Sequence, residues 1–220
     1  VLAMDRDPIP YLIGLATAAN IGSTATLTGN PQNMIIGVAS GITYIDFAAN
    51  LTPVALLSLA GVWGVLVLVY PGEFRTGAFP PSMHPTPRYH KPLLIKSLIV
   101  TALLLGTFLA GLPIAMAAFL AACVLLFTRR LKPEKVFAEI DWDILVFFGA
   151  LFIVTGSLEV NGITAELFKL LTGGKELNAV SLSAITVVLS NLVSNVPAVL
   201  LLKPVAQGLA NPTAGWLTLA

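Results

Sequence analysis

Apolar runs alternate along this chain with short polar ones, and two of the polar stretches carry no charge. Four apolar runs, residues 51–70, 92–111, 113–128 and 144–158, predict helical spans. A bilayer needs about 20 apolar residues, with a lower limit near 17, so the last two are short and extend into their flanks. Gly111-Leu-Pro113 predicts a tight turn between the second and third spans. Two further apolar regions are interrupted: residues 10–40, broken at 20–33, and residues 177–205, broken at 190–197. The arms of the second, 180–189 and 198–202, each reach about 15 Å or less at 1.5 Å per residue, so neither spans alone and a re-entrant helical hairpin is expected. The predicted fold class is therefore an all-α integral membrane protein, a single transmembrane domain over residues 1–220 with one broken helix and one re-entrant helical hairpin.

The first break reads Asn20-Ile-Gly-Ser-Thr-Ala-Thr-Leu-Thr-Gly-Asn-Pro-Gln-Asn33. Pro31 has no N–H to donate and clashes with a preceding helical turn, while Gly22 and Gly29 allow backbone conformations closed to other residues. Unwound backbone at membrane depth survives only where protein buries it or it lines a watery cavity, and secondary transporters hold ions and substrates at such breaks. Freed carbonyls, with the side-chain oxygens of Asn20, Ser23, Thr24, Thr26, Thr28, Asn30 and Asn33, would suit a hard cation such as Na⁺. The half-helix resuming near Asn33 would turn its partly positive N-terminus toward the break, which suits an anion. The bland alternative is a Gly/Pro kink whose polar groups satisfy one another across helices. The second break, Ser190-Asn-Leu-Val-Ser-Asn-Val-Pro197, puts Ser194, Asn195 and Pro197 at a hairpin tip. Taken alone it is equally a Ser/Asn helix contact. The pairing of two uncharged broken segments favours a transport site.

Composition narrows the class. The chain has 220 residues, 56% hydrophobic and 10% charged, with a mean hydropathy of +0.89. A soluble domain carries about 25% charged residues, so the membrane class is favoured and the lipid bilayer is the first partner. A net charge of +1 argues against nucleic acid. Cys123 is the sole cysteine, which excludes an intrachain disulfide and reads as a small packing residue in a helix. The chain starts at Val1 without a signal-peptide pattern and ends inside an apolar run, Trp216-Leu-Thr-Leu-Ala220. The middle of a longer protein is expected.

Loop charges predict an orientation. Arg75, Arg88 and Lys91 lie in loop 71–91, and Arg129, Arg130, Lys132 and Lys135 in loop 129–143. Two crossings separate these loops, so they share a side. The connections 41–50 and 111–113 hold no Lys or Arg, and 159–178 holds only Lys169 and Lys175. The basic loops are therefore expected in the cytoplasm and the protein in the cell inner (plasma) membrane. His84 and His90 sit in a Pro-rich stretch that reads as a solvated loop. Residues 137–142 read as interfacial, with Trp142 in an aromatic belt, and Lys203 is expected to snorkel to an interface.

At Ala19-Asn-Ile-Gly-Ser-Thr-Ala-Thr26, Gly29-Asn-Pro-Gln-Asn33, Asp141-Trp-Asp-Ile-Leu-Val-Phe-Phe148 and Leu189-Ser-Asn-Leu-Val-Ser-Asn-Val-Pro197, the sequence resembles the ion transporter superfamily. That group includes arsenite permeases, citrate-transporter-like proteins and divalent-anion/sodium symporters; the bacterial anion-transporter branch is the nearest match, over nearly the whole chain. The resemblance implies two inverted repeats, each with a re-entrant hairpin and a broken helix. This chain would hold the first repeat's broken helix and the second repeat's hairpin. It implies one Na⁺ site near Gly29 and Asn30 and another near Ser190, Ser194 and Asn195, each half present here, so the segment should not transport alone. It also allows a homodimer. Two departures bear on the substrate: Val196 follows Ser194-Asn195 where the dicarboxylate branch has Thr, and Asn30-Pro31-Gln32 stands where that branch shows Thr-Pro-Pro.

The expected function is a secondary active transporter of a small inorganic or carboxylate anion, working by alternating access and coupled to Na⁺ or H⁺, with no further cofactor. The expected substrate and ion residues are Asn20, Ser23, Thr24, Thr26, Gly29, Asn30, Pro31, Asn33, Ser190, Ser194, Asn195 and Pro197. A sodium/proton antiporter would need intramembrane acids or His, and Glu159, Asp143 and Asp46 read as interfacial. Arsenite efflux stays open through the resemblance. A channel is the reading from another class, because Asn30-Pro31-Gln32 and Asn211-Pro212-Thr213 faintly resemble paired Asn-Pro-Ala half-helices; no filter Arg follows either. No cluster of His, Cys or paired acids suggests an enzyme.

Overall fold

The computed structural model describes residues 7–75, 90–127, 133–172 and 178–220. Val1, His84, Arg88, Arg129, Arg130, Lys132 and Lys175 lie outside the described residues, and with them most of the loop charges that set the expected orientation. The described chain is built from helices without strands: α1 (Pro8–Thr24), α2 (Pro31–Ser40), α3 (Tyr44–Val69), α4 (Pro71–Arg75), α5 (Lys91–Leu109), α6 (Ile114–Leu126), α7 (Pro133–Ala138), α8 (Trp142–Val160), α9 (Ile163–Thr172), α10 (Ala179–Val193), α11 (Asn195–Gly208) and α12 (Pro212–Leu219).

Three of these, α3, α5 and α8, are long and apolar enough to cross a membrane. α3 starts well before residue 51, because Thr43 and Asp46 nucleate it. The Asp46 N–H donates to Thr43 Oγ1 at 3.1 Å, and the Thr43 hydroxyl donates to the Asp46 carboxylate at 2.7 Å. Residues read as a connection are thus the helix start, with an acid suited to its N-terminal dipole. α8 likewise extends past 144–158, capped by Asp141, whose side chain accepts from the Ile144 N–H at 3.4 Å. α6 has 13 residues, about 20 Å at 1.5 Å per residue and less than a hydrocarbon core of about 30 Å. Pro113 stands at its N-cap and Phe127 ends it, so it is shorter than the run 113–128. Cys123 in α6 is exposed rather than packed.

The exterior is apolar. Leu68 is 81% exposed, Val160 88% and Phe127 92%, an arrangement that suits lipid and not water. The interior is a small cluster that joins distant parts of the chain. Leu27 and Ile36 flank the start of α2, Phe47 and Leu51 come from α3, and Leu182, Val199, Leu202 and Ala206 from α10 and α11, with Trp216 and Leu219 of α12. Leu182 and Ala206 lie equally far in sequence from Ser194 and share this cluster, so α10 and α11 fold back on each other as a hairpin. Gly215 lets α12 cross α11 closely, since a Cβ there would lie 2.7 Å from the Ala206 carbonyl oxygen.

Lys203 of α11 does not snorkel alone. Its Nζ lies 3.7 Å from a Glu159 carboxylate oxygen at the end of α8, so the two groups read as separate interfacial charges are an ion pair. At the other end of the chain the Tyr11 hydroxyl donates to Glu73 at 2.8 Å, tying α1 to α4.

Candidate functional site

The first break is narrower than its polar sequence. α1 runs on through Asn20, Ser23 and Thr24, and only residues 25–30 leave the helix. The reason is local: the Asn20 side-chain amide donates to Ala16 O at 3.1 Å, Ser23 Oγ to Asn20 O at 2.7 Å, and Thr24 Oγ1 to Asn20 O at 3.3 Å. Side chains that back-bond to their own helix leave it intact. α2 then restarts by a standard device. Asn30 is its N-cap, its Oδ1 accepting from the Asn33 N–H at 2.9 Å, and Pro31 follows at the first helical position, where no N–H is needed. Asn211 and Pro212 start α12 in the same way, with Asn211 Oδ1 accepting from the Ala214 N–H at 3.1 Å. The two Asn-Pro pairs are helix starts.

Asn33 holds the break together. It is fully buried, and its Nδ2 donates to Thr26 O at 3.0 Å, Ser23 O at 3.3 Å and Thr24 O at 3.4 Å. Carbonyls expected to be free for a cation are therefore engaged by a side-chain amide. The Asn33 Oδ1 is buried with no hydrogen-bond partner. Asn30 Nδ2 adds a bond to Ser23 Oγ at 3.2 Å. Gly29 is required by contact: a Cβ there would strike the Ser23 carbonyl. Thr28 Oγ1 lies 3.3 Å from the Tyr44 hydroxyl, and the Tyr44 ring stacks on Phe108 at 5.5 Å, so the break is also moored to α3 and α5.

The second break is a single residue. Ser190 belongs to the last turn of α10, and Asn195 and Pro197 to the first turn of α11. Ser194 alone turns the chain, at φ 80° and ψ 159°, and it caps α11 without a side-chain hydrogen bond. That region of backbone space is nearly closed to any residue but Gly, and holding Ser there costs on the order of 1–3 kcal/mol.

The two breaks meet around one cavity of about 420 Å³. Asn20, Thr24, Asn30 and Gln32 line it from the first broken pair, Thr186, Ser190 and Asn195 from the hairpin, and Thr218 from α12. Among the described residues its lining holds no Lys, Arg, His, Asp or Glu. The N-termini of α2 and α11 both open on it, at Gln32 and Asn195, and bring partial positive charge. Of the expected site residues, Asn20, Thr24, Asn30, Ser190 and Asn195 face this cavity; Ser23, Thr26, Gly29, Pro31, Asn33, Ser194 and Pro197 do not line it. Gln32, Thr186 and Thr218 were not among the expected site residues. Thr186 precedes Ser190 by one helical turn, and that spacing alone puts both on one face.

Apolar helices of membrane-crossing length, and two interrupted helix pairs closing on a polar cavity that carries no charge among the described residues, are the build of a membrane transport protein. The chain belongs to the citrate transporter family, whose model matches residues 1–220. It is 30% identical over 243 aligned positions to an uncharacterized transporter of Mycobacterium tuberculosis, covering 100% of this chain and 56% of the relative. An uncharacterized transporter of Synechocystis is 29% identical over 217 positions, 91% of this chain and 48% of the relative. A silicon efflux transporter of Oryza sativa subsp. japonica is 26% identical over 280 positions, 96% of this chain and 58% of the relative. The chain thus spans about half the length of the curated relatives it matches. The family and these relatives are transporters, not enzymes.

Proposed function

We propose that this chain supplies part of the substrate and ion site of a secondary transporter for a small anion, coupled to Na⁺ or H⁺ and working by alternating access in the cell inner membrane. The observation that carries this reading is the convergence of both broken segments on one polar cavity. Two helix N-termini at that cavity suit negative charge without any cationic side chain. Hydroxyl oxygens of Ser190 and Thr186 on the hairpin would serve a hard cation beside the anion. Because Asn33 already engages the carbonyls of Ser23, Thr24 and Thr26, a coupling ion near Gly29 and Asn30 would need further ligands. In this reading α10 and α11 form a re-entrant hairpin, the transporter is a symporter and the assembled protein is a homodimer.

The test is uptake into proteoliposomes by the full-length protein, wild type against Asn195→Ala, with and without a Na⁺ gradient. Sodium-dependent anion uptake that is lost in the variant supports the proposal. Uptake indifferent to both sodium and the variant removes the hairpin tip from the site and sinks the sodium-coupled form.

A second reading is efflux of a small uncharged oxyacid. Its support is a lining without charge among the described residues, together with the silicon efflux for which the rice relative is named. Flux of germanic acid, independent of membrane potential, would favour it over the anion.

A further inference from the structure

The cavity looks rich in hydrogen-bond donors, but every hydroxyl proton on it is spent. A hydroxyl has one proton to give. Thr24 gives its proton to Asn20 O at 3.3 Å, Thr186 to Leu182 O at 2.8 Å, Ser190 to Val187 O at 3.2 Å and Thr218 to Ala214 O at 2.7 Å. Each of these side chains turns only lone pairs toward a solute. Asn30 Nδ2 gives one of its two protons to Ser23 Oγ while its Oδ1 accepts from the Asn33 N–H, and Asn20 Nδ2 gives one of its two to Ala16 O. Two further carboxamides are uncommitted at both ends. Gln32 and Asn195 line the cavity and make no side-chain hydrogen bond within the described protein. One comes from the first broken pair and the other from the hairpin.

We infer that Gln32 and Asn195 are the paired donors that grip the solute, and that Gln32 sets its selectivity. The inference rests on the transport reading and deepens it. A solute suited to this lining carries several oxygen acceptors for the two NH₂ groups. If protonated, it also presents O–H groups to the outward lone pairs of Thr24, Thr186, Ser190 and Thr218. Small oxyanions and oxyacids have this chemistry; an apolar solute would leave both amides unpaired. Sites that hydrogen-bond their ligand discriminate strongly against analogues lacking the partner atoms. Because the donors sit on different broken segments, a movement that parts the segments releases the solute.

The test uses the reconstituted full-length protein with three probes: radiolabelled citrate, radiolabelled phosphate and germanic acid. Gln32→Met keeps the side chain's size and removes its donor. For whichever probe the wild type carries, it should raise KM about tenfold, the worth of one well-made hydrogen bond (about 1.4 kcal/mol), and leave the maximal rate within about twofold. Gln32→Glu should penalise citrate and phosphate more than germanic acid, which separates anion from neutral oxyacid. An unchanged KM in Gln32→Met alongside a raised KM in Asn195→Ala overturns the inference and leaves the transport reading standing. A wild type that carries none of the three overturns both. Accessibility gives a readout that needs no flux. With Cys123 and any other native cysteine replaced by Ser, Gln32→Cys should react with a membrane-impermeant thiol reagent, while Leu68→Cys, on the exposed apolar face of α3, should not. An unreactive thiol at position 32 overturns the inference, since a group that water does not reach cannot take a solute from water.

Discussion

Between α1 and α2, residues 25–30 leave the helix and are held from every side. The Asn33 amide takes three carbonyls, Asn30 caps the restart, Gly29 lies against Ser23, and Thr28 meets Tyr44. Between α10 and α11 one residue turns the chain, with a strained backbone and no side-chain cap. The first break is clasped: a buried side-chain amide takes the carbonyls of Ser23, Thr24 and Thr26. The second has no side-chain clasp at its turn and is kept by the helical bonds on either side of Ser194, by the packing of the hairpin arms around Leu182, Val199 and Leu202, and by one exposed ion pair. A strained, lightly held turn is the cheaper of the two to move, so the hairpin is the element suited to rearrange against a fixed first break.

Adding a methyl group to the first break should be the most damaging change. In Gly29→Ala the new Cβ meets Ser23 backbone, which has no rotamer to escape into. A destabilisation of about 4 kcal/mol or more is expected, seen as loss of monodisperse protein in detergent and a collapse in Tm. A Gly29→Ala variant with wild-type Tm would mean that the break is not built as described.

Asn33→Ala comes next. It strips the shared donor from the Ser23, Thr24 and Thr26 carbonyls and opens a buried hole. The expected loss is about 2–3 kcal/mol, measured by denaturant unfolding in mixed micelles. A loss under about 0.5 kcal/mol would show that the carbonyls find other partners and that the first break is no better clasped than the second.

At the hairpin the sign should reverse. Ser194→Gly removes a Cβ from backbone at φ 80° and should raise stability by about 1 kcal/mol, the strain relief offset in part by the greater freedom of Gly in the unfolded chain. Ser194→Ala removes the same hydroxyl and keeps the strain, so it should leave Tm almost unchanged. If Gly and Ala behave alike at 194, the strain is not real and the contrast between the breaks fails.

The location of both breaks was legible because a dense, uncharged polar run with a Pro has no ordinary place in an apolar helix. Their widths were not. Asn20, Ser23, Thr24 and Ser190 carry the same functional groups whether they line a break or bond back to their own helix, and only coordinates separate the two. The same ambiguity hid Gln32: in sequence it reads as a departure from a motif, and the role proposed for it comes from the hydroxyls around it having spent their protons. Asn33 was expected among ion-binding oxygens; its Oδ1 is buried without a hydrogen-bond partner, and what the sequence did not show is that its nitrogen takes the carbonyls of Ser23, Thr24 and Thr26. The end of α3 nearest the first break was misplaced because Thr43 and Asp46, polar and before the apolar run, read as a loop when they are the cap.

The smallest effect concerns what tethers the hairpin to the rest of the molecule. Lys203 and Glu159 pair at 3.7 Å across α11 and α8, with side chains 31% and 48% exposed. Charges this accessible gain little from pairing, about 0.5 kcal/mol, and a double-mutant cycle with Lys203→Met and Glu159→Gln should return a coupling of that size in unfolding free energy. The charge swap Lys203→Glu with Glu159→Lys should recover most of what either reversal loses alone. Its interest lies in where it acts. The bond joins the lightly held hairpin to one of the three helices long enough to cross a membrane, so breaking it should quicken hydrogen exchange in α10 and α11 and leave α1 and α2 unaltered. Equal quickening around both breaks would mean that they move as one body, and the division into a fixed and a mobile interruption would have to be given up.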